Sequence, residues 1–205
     1  MIDYYKTSLQ LLHRLLKESG IETWAKWIEQ DILFWDQTHS VSHHLAAYQG
    51  MGSLMDVSLS IGQETDVWKS KVFDMAKKLA KGLAKGTIKR PPLDEAYYRS
   101  ASETLKGSKC KHCGHAWVDK VEAESYLSSR FLPKLTVDLL RKDNFMELGN
   151  VEKWSQDEAI IQKRKTLEES LKSSKIAFAT GNQGHWKCPI CGNRDIAAIS
   201  WHFDI

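Results

Sequence analysis

The chain has 205 residues, 42% of them apolar and 27% charged, with only four prolines and twelve glycines. That composition excludes a collagen-like repeat, a disordered tail and a disulfide-dense miniprotein, and the length suits one substantial domain or two small ones. The formal net charge of +3 is too small to mark a nucleic-acid binder by itself. It hides an uneven distribution: residues 1–65 carry 4 basic and 8 acidic side chains, residues 66–113 carry 12 and 5, and residues 114–205 carry 13 of each.

The first 86 residues read as successive helices. Tyr5, Leu9, Leu12 and Leu16, backed by Leu11 and Leu15, follow a 3.6-residue period up to Gly20. Trp24, Trp27, Ile28 and Ile32 mark a second helix ending near Trp35-Asp36. A third begins after Thr38 or Ser40 and holds His44, Leu45 and Tyr48, and the Gly50-Met-Gly-Ser53 turn interrupts it. Ser53 and Asp56 have capping-box spacing and predict the start of a fourth helix. From Thr65 a fifth helix presents Trp68, Val72, Met75, Leu79 and Leu83 on one face and Lys71, Lys78 and Lys85 on the other, and Gly86 ends it.

Arg90-Pro91-Pro92 is the strongest punctuation in the chain and sets the expected boundary between a helical domain at 1–90 and a second domain at 91–205. Residues 94–106 are read as a short helix and His115–Asp119 as a strand. Residues 122–142 are read as helix with a break near Pro133. Ser155 and Glu158 predict a capping box opening a helix to about Leu171. Ile176–Thr180 and Ile196–Phe203 read as two further strands.

The four cysteines fall as Cys110/Cys113 and Cys188/Cys191, two CxxC pairs each followed by glycine. A two-residue spacer brings two thiolates round one tight turn, and the glycine permits the positive φ that points backbone amides at sulfur. No secretory leader precedes the first helix, and no apolar run approaches the roughly 18–20 residues of a membrane span. A cytoplasmic location without membrane association is therefore expected, and in that reducing setting paired thiols are better explained by metal than by disulfides. These residues resemble the zinc-ribbon group of folds, with one zinc held by all four cysteines. They depart from it in the long gap between Cys113 and Cys188, which is read as a helical insertion at about 121–174. The expected fold is thus mainly α: an N-terminal helical bundle followed by a small three-stranded zinc ribbon carrying that insertion. A closed shell of four thiolates leaves no open position for a reacting water. His112 and His115 read as flanking donors or surface residues, and whether either enters the metal shell stays open.

Other candidates are weaker. His43-His44 on a short helix has no metal-binding partner at i+4 and is read as packing or capping, with His39 nearby. Gly50–Asp56 lacks the remaining features of a phosphate loop, so a small-molecule ligand is not expected, although an effector enzyme with a site there is one alternative. The basic stretch offers Lys71, Lys78, Lys81, Lys85, Lys89 and Arg90 as possible nucleic-acid or partner contacts, followed by Lys106, Lys109 and Lys111. Trp117, Trp186 and Trp201 are placed near the cysteines as shielding. No GxSxG elbow, Walker loop, HExxH or kinase set is present, and no catalytic residue is named.

Trp24-Ala25, the run His44-Leu-Ala-Ala-Tyr-Gln-Gly-Met-Gly-Ser-Leu-Met-Asp56 and Leu79-Ala80 carry a further similarity. The stretch from Ile21 to about Leu83 resembles an uncharacterised bacterial helical domain family. The resemblance implies a small helical fold and a bacterial origin and supplies no activity. The function expected from all of this is non-catalytic: a zinc-stabilised binding protein, with a protein partner, serving as an accessory or regulatory subunit of a bacterial assembly such as a defence or toxin–immunity complex. A nucleic-acid-binding protein using the lysine helix and the ribbon is the other alternative.

Overall fold

The computed structural model describes residues 2–59, 64–99, 104–179 and 187–205. The chain forms two compact units. One comprises residues 1–99 and 132–151, the other residues 100–131 and 152–205. The segment between the cysteine pairs is therefore shared, residues 132–151 belonging to the helical unit.

The helical unit is organised by α1 (Tyr4–Glu18), which packs against α2 (Glu22–Thr38), α4 (Glu64–Ala84) and the 3-10 turn Phe145–Gly149. Leu9, Leu11, Leu12, Leu15 and Leu16 are all fully buried, so α1 is covered on more than one flank. Trp68, Phe73 and Leu79 of α4 and Ile28 of α2 complete this core. Asp3 caps α1 by accepting from the Lys6 amide at 2.9 Å. The third expected helix is α3, five residues long (Ser42–Ala46). The fourth does not form. Ser53 donates its amide and its hydroxyl to the Asp56 carboxylate at 2.9 and 3.0 Å, but these close only a single 3-10 turn, Leu54–Asp56. Val57 turns back to extended backbone, where its carbonyl accepts from the buried Lys77 ammonium at 2.8 Å. In this unit α5 occupies only Glu95–Tyr98.

The second unit contains a four-stranded mixed sheet in the order β3-β2-β1-β4. Its strands are β1 (Leu105–Cys110), β2 (Ala116–Val118), β3 (Ile176–Phe178) and β4 (Ile196–Trp201). The three-stranded expectation is corrected by β1, whose first two residues fall within the helix expected at 94–106. Lys106-Gly-Ser-Lys109 has no apolar alternation, yet it is central in the sheet, antiparallel to β2 on one side and to β4 on the other. Pairing on both edges outweighs its weak local preference. Gly107 is required there: a Cβ would meet the Trp117 carbonyl oxygen and Trp201 Cζ3 at 2.5 Å each. β3 joins β2 in parallel, which demands a long crossover, and the helices between the cysteine pairs provide it.

That crossover starts with α6 (Lys120–Arg141), which runs unbroken through Pro133 where a break was expected. The lost amide removes one helical hydrogen bond, but Leu132, Val137, Leu139 and Leu140 are buried and hold the helix together. Thr136 donates to the Leu132 carbonyl at 2.7 Å. After α7 (Val151–Ser155), the N-cap of α8 (Glu158–Ser173) is Asp157, which accepts from the Ala159 amide, and not Ser155. Ser155 instead donates to the Glu152 carbonyl and closes α7. Within this unit the buried Glu124 of α6 receives a two-pronged contact from Arg164 of α8, at 2.5 and 3.0 Å. Arg130 of α6 stacks over Tyr126, whose hydroxyl contacts the Phe203 backbone beyond β4.

Candidate metal centre

The two CxxC pairs form loops with the same hydrogen-bond pattern. In the first, the Cys110 amide donates to the His115 carbonyl at 2.8 Å and the Gly114 amide to the Cys110 carbonyl at 2.9 Å. In the second, the Cys188 amide donates to the Asn193 carbonyl at 2.8 Å and the Gly192 amide to the Cys188 carbonyl at 2.9 Å. Gly114 and Gly192 take left-handed φ values of 76° and 70°, a conformation open to glycine at little cost. In each loop the first cysteine is buried and the second exposed. Sequence spacing foretold this equivalence; the fold brings the two loops together by pairing β1, which ends at Cys110, with β4, which starts at Ile196, so that Cys110 and Ile196 are register partners.

All four sulfur atoms lie within 4.8 Å of one another. The Cys110–Cys191 and Cys113–Cys188 separations are 3.7 and 3.6 Å, both between loops, and all four thiols are free. The set can hold a metal ion. Its electrostatics favour one. Burial opposes ionisation of Cys188, but the Cys191 and Ile190 amides aimed at its sulfur bring it down to about 7. The Asn193 amide favours the Cys191 thiolate, whereas burial and the neighbouring thiols push that group up to about 12. Four sulfurs at this spacing cannot all ionise without a cation between them.

Trp117 is buried together with Cys110 and Cys188, and Ala177, Ala179 and Ile196 pack against the three. His115 stacks on Trp117 with ring centroids 5.7 Å apart, and His112 is exposed. Trp201 lies over Gly107, and Trp186 falls outside the described residues.

The helical unit holds a second cluster of titratable groups that residue spacing did not reveal. Asp31, fully buried on α2, faces His43 Nδ1 at 2.5 Å with one carboxylate oxygen and His44 Nδ1 at 2.7 Å with the other. A carboxylate accepts, so both rings carry their proton on Nδ1. The Tyr48 hydroxyl lies 3.1 Å from His44 Nε2 and 3.3 Å from the Lys77 carbonyl. His43 stacks on Trp27 at 4.4 Å and touches Phe34 at 5.1 Å. The available signal was a second stripe on α2, Trp24, Trp27, Asp31 and Phe34, at helical spacing beside the main apolar face. Both histidines turn toward the same carboxylate.

The basic residues do not form one solvated face. Lys77 is buried and bridges Asp74 at 2.9 Å. Lys78 donates to the Tyr97 carbonyl and sits 3.9 Å above the Tyr97 ring, and Lys81 lies 4.7 Å above the Tyr48 ring. Lys71 is half-buried, whereas Lys85, Lys89 and Arg90 are exposed. In the Gly50–Asp56 segment Gly50 and Gly52 have φ of 76° and 73°, as a tight reversal requires.

A family model described as a domain of unknown function (DUF6966) matches residues 17–67. The match covers about a quarter of the chain, from the end of α1 into α4, and includes Asp31, His43, His44 and Tyr48 but none of the cysteines. No curated protein and no solved structure matches the chain.

Proposed function

We propose that the protein is a zinc-stapled binding module, non-catalytic at its metal, serving as an accessory or regulatory subunit of a bacterial multi-protein assembly of the defence or toxin–immunity kind. The observation that carries the metal assignment is the sulfur geometry. Four thiolates around zinc at about 2.3 Å have tetrahedral edges of about 3.8 Å. The closest inter-loop separations are 3.6 and 3.7 Å. A soft donor set of four sulfurs suits zinc over magnesium or calcium, which take oxygen ligands. With four protein thiolates the shell is closed, so the ion acts on the fold and its binding energy is folding energy. The sheet unit then presents surfaces, and binding is the activity such a scaffold supports.

The full-length chain purified without chelator should contain one zinc per chain by elemental analysis. Tagged at its native level in its own cells, it should co-purify with a different protein in fixed ratio. Recovery of zinc-loaded chain with no other protein in stoichiometric amount overturns the assembly role, and metal-free chain that keeps the sheet overturns the staple.

A further inference from the structure

The outer edge of β4 has the properties of an unclaimed pairing surface. Lys111 donates its amide to the Asp195 carbonyl, and these two residues continue the β1–β4 register. In an antiparallel pair, hydrogen-bonded positions alternate. Residues 197, 199 and 201 therefore turn their backbone groups to β1, and Ile196, Ala198 and Ser200 turn theirs outward. Independently, the Cys110 amide bonds the His115 carbonyl across β1–β2, so even-numbered residues of β1 face β2 and odd-numbered ones face β4. Among the described residues nothing accepts from or donates to the outward amides and carbonyls of Ile196, Ala198 and Ser200. Ala198 and Ser200 are exposed.

Edges are ordinarily guarded by charge, proline or a bulge. Ile196-Ala-Ala-Ile-Ser-Trp201 has no charged residue, no proline and no glycine, and six of its residues pair in unbroken register with β1. We propose that β4 is a self-association edge, through which two copies of this chain join their sheets antiparallel about a two-fold axis. Two-fold pairing requires an outward residue to face an outward residue, so the two numbers of each facing pair sum to an even value. The register centred on Ile199 satisfies this. It sets Ile199 against Ile199, Trp201 against Ala197 of the second copy, and Ala198 against Ser200 of the second copy. Large therefore meets small beside the axis. The same register places Arg194 opposite Asp204 of the second copy, twice by symmetry. Both residues are exposed, Asp204 fully. Opposite charges thus close both ends of an uncharged strand, and a second copy is the partner whose charges the edge already matches. The proposal does not depend on the identity of the metal or of any other partner.

Sedimentation of the full-length, zinc-loaded chain over a concentration series tests it. The wild type should show a monomer–dimer equilibrium. Ala198→Pro should abolish the dimer while keeping zinc, because that amide faces outward and proline is tolerated on such an edge. Asp204→Arg should weaken the dimer several-fold, and Arg194→Asp combined with Asp204→Arg should restore it. A wild type that stays monomeric throughout overturns the proposal, as does a dimer indifferent to Ala198→Pro. If Ala198→Pro loses zinc, the charge pair decides alone: no weakening by Asp204→Arg overturns the proposal, and weakening with restoration supports it.

Discussion

The two units are held together by different means. Of the largest fully buried side chains, Trp117 and Leu105 belong to the sheet unit and all others, from Leu9 and Trp68 to Leu79, to the helical unit. Around the sheet's cysteines the apolar cluster is built from two cysteines and one tryptophan, with small residues packed on it. A helical unit with a leucine-rich central helix can bury enough apolar surface to persist, at about 25 cal/mol per Å². A short-stranded sheet gains less: its strands bury Leu105, Trp117, Val118 and Ile176 against the helices of the same unit, and at the cysteine end Cys110 and Cys188 are buried beside Trp117. The lesson is that a metal site can substitute for hydrophobic mass when strands are only three to six residues long.

The largest expected effect separates the units most sharply. Structural zinc contributes on the order of 10 kcal/mol of apparent binding free energy, so Cys188→Ser should eliminate stoichiometric zinc. Hydrogen exchange should then accelerate across residues 104–118 and 187–205 while α1 and α4 remain protected; uniform protection in both regions would contradict the staple. Asp31→Ala should act in the opposite place. It leaves two histidine Nδ1–H donors without their acceptor, one of them buried, at a cost of about 1–3 kcal/mol for the buried one. Thermal melting of the helical signal should move down while metal content stays at one per chain.

Glu124→Ala tests the sheet unit away from the metal. Arg164 would lose both charge-assisted contacts, and because it is partly exposed and can turn to water, about 1–3 kcal/mol is expected. Gly107→Ala addresses the close approach under Trp201. A methyl at 2.5 Å from a backbone oxygen forces β1 from β2, with a cost of about 1–3 kcal/mol read as earlier zinc release during chelator titration. The smallest effect is alkaline. Burial, with Asp31 adding to it, raises the Tyr5 hydroxyl above its ordinary value near 10, and burial with Tyr5 and Asp31 does so for Tyr48. Their folded pKa values exceed the unfolded ones. The helical unit should therefore keep its stability up to about pH 10 and lose it progressively above, while a control at pH 7–9 shows no change.

What could be read from residues alone follows the same division. α1, α2 and α4 were legible because each repeats apolar side chains at the helical period over four turns or more, and both CxxC loops were legible because spacing and glycine are local. β1 was not, since its stability comes from neighbours on both edges, one of them β4, almost ninety residues later in the chain. Pro133 misled for a related reason: burial on both sides of it outweighs one missing amide bond. Asp31 was invisible because a single carboxylate on a helix reads as solvated until α3 folds over it. The Ser53–Asp56 pair shows the converse, a correct local contact that does not propagate into a helix.

The parallel pairing of β2 with β3 has a consequence for synthesis. Because Cys188 follows Cys113 only after the whole crossover, a ribosome adding about 5–20 residues per second leaves the first thiol loop without its complement for roughly 4–15 s. During that interval the first pair of thiols lacks the second, so an ion that needs all four sulfurs can be bound only late in the life of the nascent chain.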